Sequence, residues 1–299
     1  MTKKEEFYNN VANGVSEILG DEMVVEIQEV TKVNLSLDGL TIRKRNESIA
    51  PTIYLNQYFN QFNDGRTMDD IVKDIIRVYE NNQPENIMDV FKTEDFYDFD
   101  KMKEKIVLKV INTERNLDLL EQVPHLDMEG LGLSVVFYVS IMTGEQSAGI
   151  LIKNEHLRLW EKKVSDLISL AEINTNRMHT FTIKSINEVL SGMFGFEEDL
   201  IPDGPAFYVL TDENMTFGAS QLYLKDKIRE FAKQQDCDVY ILPSSIHELL
   251  LLRADFPNLE PSYLKEMVYQ VNSTQVSEEE FLFEGAYKFE LATDKIIAL

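Results

Sequence analysis

Leu133-Ser134-Val135-Val136-Phe137-Tyr138-Val139-Ser140-Ile141 puts Leu133, Val135, Phe137, Val139 and Ile141 at alternate positions. A period of two is that of a strand with one face turned to a core. Thr143-Gly144-Glu145 then reads as a turn, and residues 148–152 as the returning strand. The unit is a hairpin, and strands joined by a tight turn run antiparallel.

Working outward, the same grammar recurs. Residues 5–19 read as a helix with Phe7, Val11, Val15, Ile18 and Leu19 on one face. Short strands at 23–27, 33–37 and 40–42 follow, and Asp38-Gly39 between the last two reads as a hairpin turn. A further strand covers 52–55. Thr67, with Asp70 three places on, resembles a capping box for a helix whose stripe is Met68, Ile71, Val72, Ile75, Ile76 and Tyr79. Residues 106–111 read as a strand and 113–122 as a helix. Beyond the central hairpin a long helix starts at Leu159 or Trp160. Strands are expected at 207–211, 219–223, 239–242, 248–252 and 286–291, with helices at 224–235 and from Ser262. Hairpins outnumber strand–helix–strand crossovers. The expected class is α+β, with mainly antiparallel sheets built from hairpins and helices packed on one face.

A length of 299 residues favours two domains. The expected division is 1–120, carrying an acidic-aromatic connection at 81–104, and 121–299. In that connection Phe91, Phe96, Tyr97 and Phe99 sit among Asn, Asp and Glu. They suit either a partner-binding segment or a loop that fills its own core.

Fifty-two acidic residues against 29 basic give a net charge of −23. Such a surface repels nucleic-acid phosphates and anionic lipid, and no basic cluster exceeds Arg43-Lys44-Arg45. Nucleic acid and membrane are therefore not expected as partners. A basic protein is the partner that the charge favours, and oligomeric state is left open. Cys237 is the single cysteine, so no intramolecular disulfide can form, which fits a reducing compartment. Residues 1–6 contain no apolar run of a signal peptide, and no apolar stretch approaches the roughly 20 residues of a membrane span. The expected location is the cytoplasm.

The densest polar chemistry is Pro243-Ser244-Ser245-Ile246-His247-Glu248, on a turn between two expected strands. A serine nucleophile needs a base, which His247 would supply to Ser244 or Ser245, with Glu248 beside it. The alternative is a serine-rich turn that caps its own backbone. His247-Glu248 also begins like a zinc-protease helix, but Leu251 stands where the second histidine is required. His125, His156 and His179 show no metal-ligand spacing. Asp236 and Asp238 flank Cys237 and disfavour its thiolate. Gly130-Leu131-Gly132 and Gly192-Met193-Phe194-Gly195 fall short of a phosphate-binding loop. No metal or cofactor is expected.

The runs Phe207-Tyr208-Val209-Leu210-Thr211, Gly218-Ala219-Ser220 and Tyr240-Ile241-Leu242-Pro243-Ser244-Ser245-Ile246-His247-Glu248 resemble an uncharacterised family, a domain of unknown function of anaerobic Gram-positive bacteria. Leu264-Lys265-Glu266-Met267-Val268 and Asn272-Ser273-Thr274-Gln275-Val276 belong to the same pattern. The layout is similar, more distantly, to the YtpQ-like family, through Gly39-Leu40-Thr41-Ile42, the 136–152 hairpin and Ala219-Ser220. These resemblances imply a bacterial origin and a shared fold, and no activity. Two readings of function follow. One is a non-enzymatic binding or protein-interaction protein with an acidic surface, and the other a hydrolase built on the Ser244/Ser245/His247/Glu248 turn. A mimic of DNA is a third, motivated by net charge alone.

Overall fold

Residues 2–45, 52–81, 93–143, 146–194, 206–243, 245–257 and 259–299 are described by the computed structural model. The chain divides into two units, Met1–Thr93 and Glu94–Leu299.

In the first unit, α1 (Lys3–Leu19) opens on a capping box, with Thr2 Oγ1 accepting from the Glu5 backbone N–H at 3.2 Å. A three-stranded antiparallel sheet follows, β1 (Met23–Lys32), β2 (Leu35–Lys44) and β3 (Thr52–Tyr54), then α2 (Asn56–Asn63) and α3 (Met68–Asn81). Thr67 caps α3 through Asp70, as its spacing predicts. Phe7, Val11 and Val15 of α1 and Ile71 and Ile75 of α3 pack with Leu40, Ile42 and Ile53 of the sheet. One expectation is corrected here. The hairpin turns at Val33-Asn34, where Asn34 takes a φ of +63°, and Asp38-Gly39 lies inside β2 opposite Glu29 and Gln28. Asparagine tolerates left-handed backbone, so Val33-Asn34 supplies the turn. Gly39 answers to crowding instead, since a Cβ there would lie 2.3 Å from the Thr52 methyl.

The second unit has two sheets. In one, the long β6 (Leu133–Thr143) has β4 (Ile106–Asn112) along one edge; β5 (His125–Met128) and β7 (Gln146–Leu151) share the other. The segment from 94 onward belongs with this unit, since every residue of β4 pairs with β6. The second sheet is antiparallel throughout, in the order β13 (Lys295–Ala298), β12 (Tyr287–Glu290), β10 (Val239–Leu242), β11 (Leu249–Arg253), β9 (Tyr208–Asp212), β8 (Phe181–Ser185). The longer helices among the described residues are α4 (Asn154–Trp160), α5 (Val164–Met178), α6 (Ile186–Phe194), α7 (Asp226–Gln235) and α8 (Pro261–Thr274). The class is α+β with antiparallel sheets, as the hairpin grammar predicts.

Two local expectations are corrected in this unit. The long helix from Leu159 or Trp160 is two helices, broken where Glu161 adopts a left-handed φ of +54°. The strand expected at 219–223 is helical, a 3-10 turn at Gly218–Ser220 followed by an α turn at Gln221–Leu224. Five residues are too few for periodicity to separate the two. Of the aromatics near residue 96, Phe96 fills its own unit, buried and with its carbonyl accepting from the Trp160 indole N–H at 2.8 Å, and Phe99 packs on Trp160, whereas Tyr97 is exposed. Phe91 lies outside the described residues.

Candidate functional site

An edge strand leaves a row of backbone groups to satisfy. β4 has β6 on one side only, and the last turn of α5 closes the other. Thr175 Oγ1 accepts from the Leu108 N–H at 3.0 Å, and the Asn174 amide donates to the Ile106 carbonyl at 2.9 Å. Both side chains are buried, so the helix end is locked to the strand. His179, whose own N–H ends α5 by donating to the Thr175 carbonyl, is thereby held against the sheet that carries Lys109.

The ring of His179 is buried, and its Nδ1 lies 2.8 Å from Asp212 Oδ2 at the end of β9. Asp212 is fully enclosed. Its Oδ1 accepts from the backbone N–H groups of Thr216 at 2.6 Å and Phe217 at 3.2 Å, and its Oδ2 also accepts from the Thr216 hydroxyl at 3.1 Å. Burial by itself would raise its pKa. The His179 hydrogen bond and the two backbone donors outweigh burial and hold the carboxyl below the ordinary carboxylate range. An ionised Asp212 can only accept, so Nδ1 of His179 carries a proton and donates. When the ring is neutral, Nε2 is the nitrogen that holds the lone pair, and it is buried with no hydrogen-bond partner among the described residues. Phe217 stacks on the imidazole with ring centroids 3.8 Å apart, fixing its plane.

His179 forms part of the wall of a pocket of about 120 Å³ between β4, β6 and the loops after β9 and β10. Lys109, Tyr138, Ser140, Asn214, Thr216 and His247 also line it. Lys109 and Tyr138 approach each other from paired strands, the ammonium lying 5.2 Å from the Tyr138 ring centre and 4.6 Å from that of Phe217. Burial lowers the Lys109 pKa against the opposing pull of Asp212, and burial pushes the Tyr138 phenol up to about 12.

A family model for proteins of unknown function matches residues 4–290. The chain belongs to the family DUF5688. No curated protein and no solved structure matches it. The match spans the pocket and both units, so the pocket is a property of a DUF5688 chain and brings no activity from a relative.

Among its described residues, the Ser244–Glu248 turn contributes one, His247, to this DUF5688 pocket. His247 lines it, with Nδ1 donating to the Thr216 carbonyl at 3.1 Å and Nε2 facing Glu280 at 3.5 Å. Ser245 is buried, and its Oγ accepts from the His247 backbone N–H at 3.1 Å, the arrangement of a self-capping turn. The Glu248 carbonyl accepts from the Ser245 N–H at 3.4 Å, and Ser244 lies outside the described residues. Ser245 and His247 thus meet through the main chain, and the imidazole is turned to Thr216 and Glu280. The turn also anchors the neighbouring loop, since the His247 carbonyl accepts from Gly218 N–H and Thr211 Oγ1, both at 2.8 Å.

Lys109, Tyr138, His179, Asp212 and Phe217 escape a reading of spacing. One signal is present in the sequence: Lys109 interrupts the apolar run Ile106-Val107-Leu108-Lys109-Val110-Ile111. A charge in the middle of a buried strand is expensive without a purpose. Elsewhere, burial and then the charge of Asp255 raise the Cys237 thiol, away from nucleophile chemistry. Among the described residues no group of three His, Cys, Asp or Glu is placed to hold a metal ion, and no helix is long and apolar enough to cross a membrane.

Proposed function

We propose that the second unit is an enzyme site for a small molecule, with His179 as the general acid–base and Asp212 as the group that orients and charges it. The observation that carries this reading is the His179 ring, which lines the pocket: one nitrogen is tied to a buried carboxylate, and the other is buried with no partner among the described residues. A histidine serving only the core would have both nitrogens satisfied or one in solvent. A carboxylate behind the ring sets the tautomer and stabilises the imidazolium formed when Nε2 takes a proton. The hydroxyls of Tyr138 and Ser140 lie on the same wall as groups to be activated or to position a substrate. His247 brings the Ser244–Glu248 turn into this site as a wall. A basic protein partner, drawn by the charge of −23, is a separate proposal that needs no part of the pocket.

Nitrogen-15 NMR of the ring tests the reading directly. In the neutral ring of His179, Nδ1 is expected to carry the proton and Nε2 to be bare. Any turnover found in a metabolite panel should fall by about 100- to 10,000-fold in His179→Gln. A ring protonated at Nε2 with Nδ1 bare, or turnover that survives the substitution, sinks it.

A further inference from the structure

The protein as a whole carries −23, yet none of the ten residues lining the pocket is acidic. The walls offer Lys109, two imidazoles, hydroxyls and the Asn214 amide. Asp212, the acid whose charge acts on Lys109, is already engaged: its two oxygens accept from His179, Thr216 and Phe217, and neither accepts from Lys109. The Lys109 ammonium makes no hydrogen bond or ion pair with a described residue, although its backbone pairs with Val136. Two aromatic rings face its ammonium, and they attract a cation without providing an acceptor for its three N–H donors. Tyr138 stays a neutral phenol at physiological pH, so it does not compete as an anion. The pocket's volume of about 120 Å³ equals that of about four waters in the liquid, which suits a head group of a few heavy atoms.

We infer that the pocket seats an oxyanion, the carboxylate or phosphoryl group of a small molecule, on the Lys109 ammonium, with His179 Nε2 facing the part of that molecule to be protonated or deprotonated. The inference rests on reading the pocket as the ligand site and adds the class of ligand. An oxyanion supplies the acceptor that Lys109 lacks, and charge-assisted hydrogen bonds of this kind are about twice as strong as neutral ones. A neutral ligand of the same shape leaves the ammonium unpaired and binds less well.

The test uses the full chain, with acetate and inorganic phosphate as probes in separate titrations. Acetamide and trimethyl phosphate serve as neutral counterparts. Carbon-13 signals of the Lys109 Cε and the Phe217 ring report binding, and nitrogen-15 signals of His179 are read before any addition. A saturable shift with a millimolar midpoint is expected from at least one anion and from neither neutral analogue. A response to acetate alone assigns a carboxylate, and to phosphate alone a phosphoryl group. In Lys109→Met the midpoint, read on the His179 ring, should rise by about tenfold or more. Lys109→Arg should retain binding, which separates loss of charge from loss of fold. Absence of a saturable response to both anions, an equal response to the neutral analogues, or an unchanged midpoint in Lys109→Met overturns the inference. The anion-free His179 signals stand apart from this outcome: the correct tautomer with no anion response defeats the ligand class alone, whereas the wrong tautomer defeats the acid–base reading.

Discussion

Asp212 is the residue on which the site turns. It is a buried acceptor surrounded by donors: an imidazole N–H, two backbone N–H groups and a hydroxyl. In Asp212→Asn half of the side chain becomes a donor, and at least one buried N–H loses its acceptor. Leaving such a group unsatisfied costs about 1–3 kcal/mol, more where a charge was involved, so a loss of about 2–3 kcal/mol in urea unfolding is expected. An unfolding midpoint equal to that of the wild type would mean that the carboxylate is not the hub described here. His179 in this variant should also lose its fixed tautomer, which the same nitrogen-15 spectrum would register.

At the scale of elements, the site depends on how the loop after β9 seats on the loop after β10. Gly218 is the contact. A Cβ there would lie 2.5 Å from the His247 carbonyl oxygen, 2.7 Å from the Leu210 carbonyl oxygen and 2.8 Å from the Glu248 Cα. All three are backbone atoms, so no side-chain rotation relieves the clash. Gly218→Ala should cost about 1–3 kcal/mol and move Phe217, its neighbour, off the His179 ring. Gly39→Ala is the comparison: its closest obstacle is the Thr52 methyl, the end of a side chain that can rotate. Chemical denaturation of the two variants should rank Gly218→Ala as the more damaging, and the reverse order would contradict the packing described.

At the scale of the molecule, the charge of −23 and the paired carboxylates pull stability in opposite directions. Self-repulsion among surface acids is screened by salt, so the melting temperature at neutral pH should rise as NaCl goes from about 0.05 M to about 0.5 M. A melting temperature that falls with salt would mean that exposed ion pairs outweigh the repulsion. In acid the paired groups dominate. Asp212 is held below the ordinary range by His179 and backbone donors, which overcome its burial. Asp294 is drawn to about 2 by the Arg229 hydrogen bond, against desolvation and with help from Lys225. Each folded value lies below the unfolded value of about 3.9, so the folded state resists protonation. Their contribution is present above the unfolded value and is lost as pH falls through the folded values. Thermal unfolding should therefore show stability dropping below about pH 4, less steeply in Asp212→Asn.

The alternation of Leu133, Val135, Phe137, Val139 and Ile141, the stripe of α3 and its Thr67 cap were enough by themselves to determine hairpins, helices and the α+β class. Their signals are local: a period of two or 3.6 states which face leaves water, and a cap states where a helix starts. The turn at Val33-Asn34 was the harder case, because Asp38-Gly39 carries the stronger turn signal while the crowding at Gly39 comes from another strand. The pocket was decided by tertiary structure alone. His179 and Asp212 stand 33 residues apart, and Lys109 lies on another strand again. No periodicity links them. They meet because Asn174 and Thr175 fasten the end of α5 to the open edge of β4, a match of hydrogen-bond donors and acceptors that exists only once both elements have formed and docked.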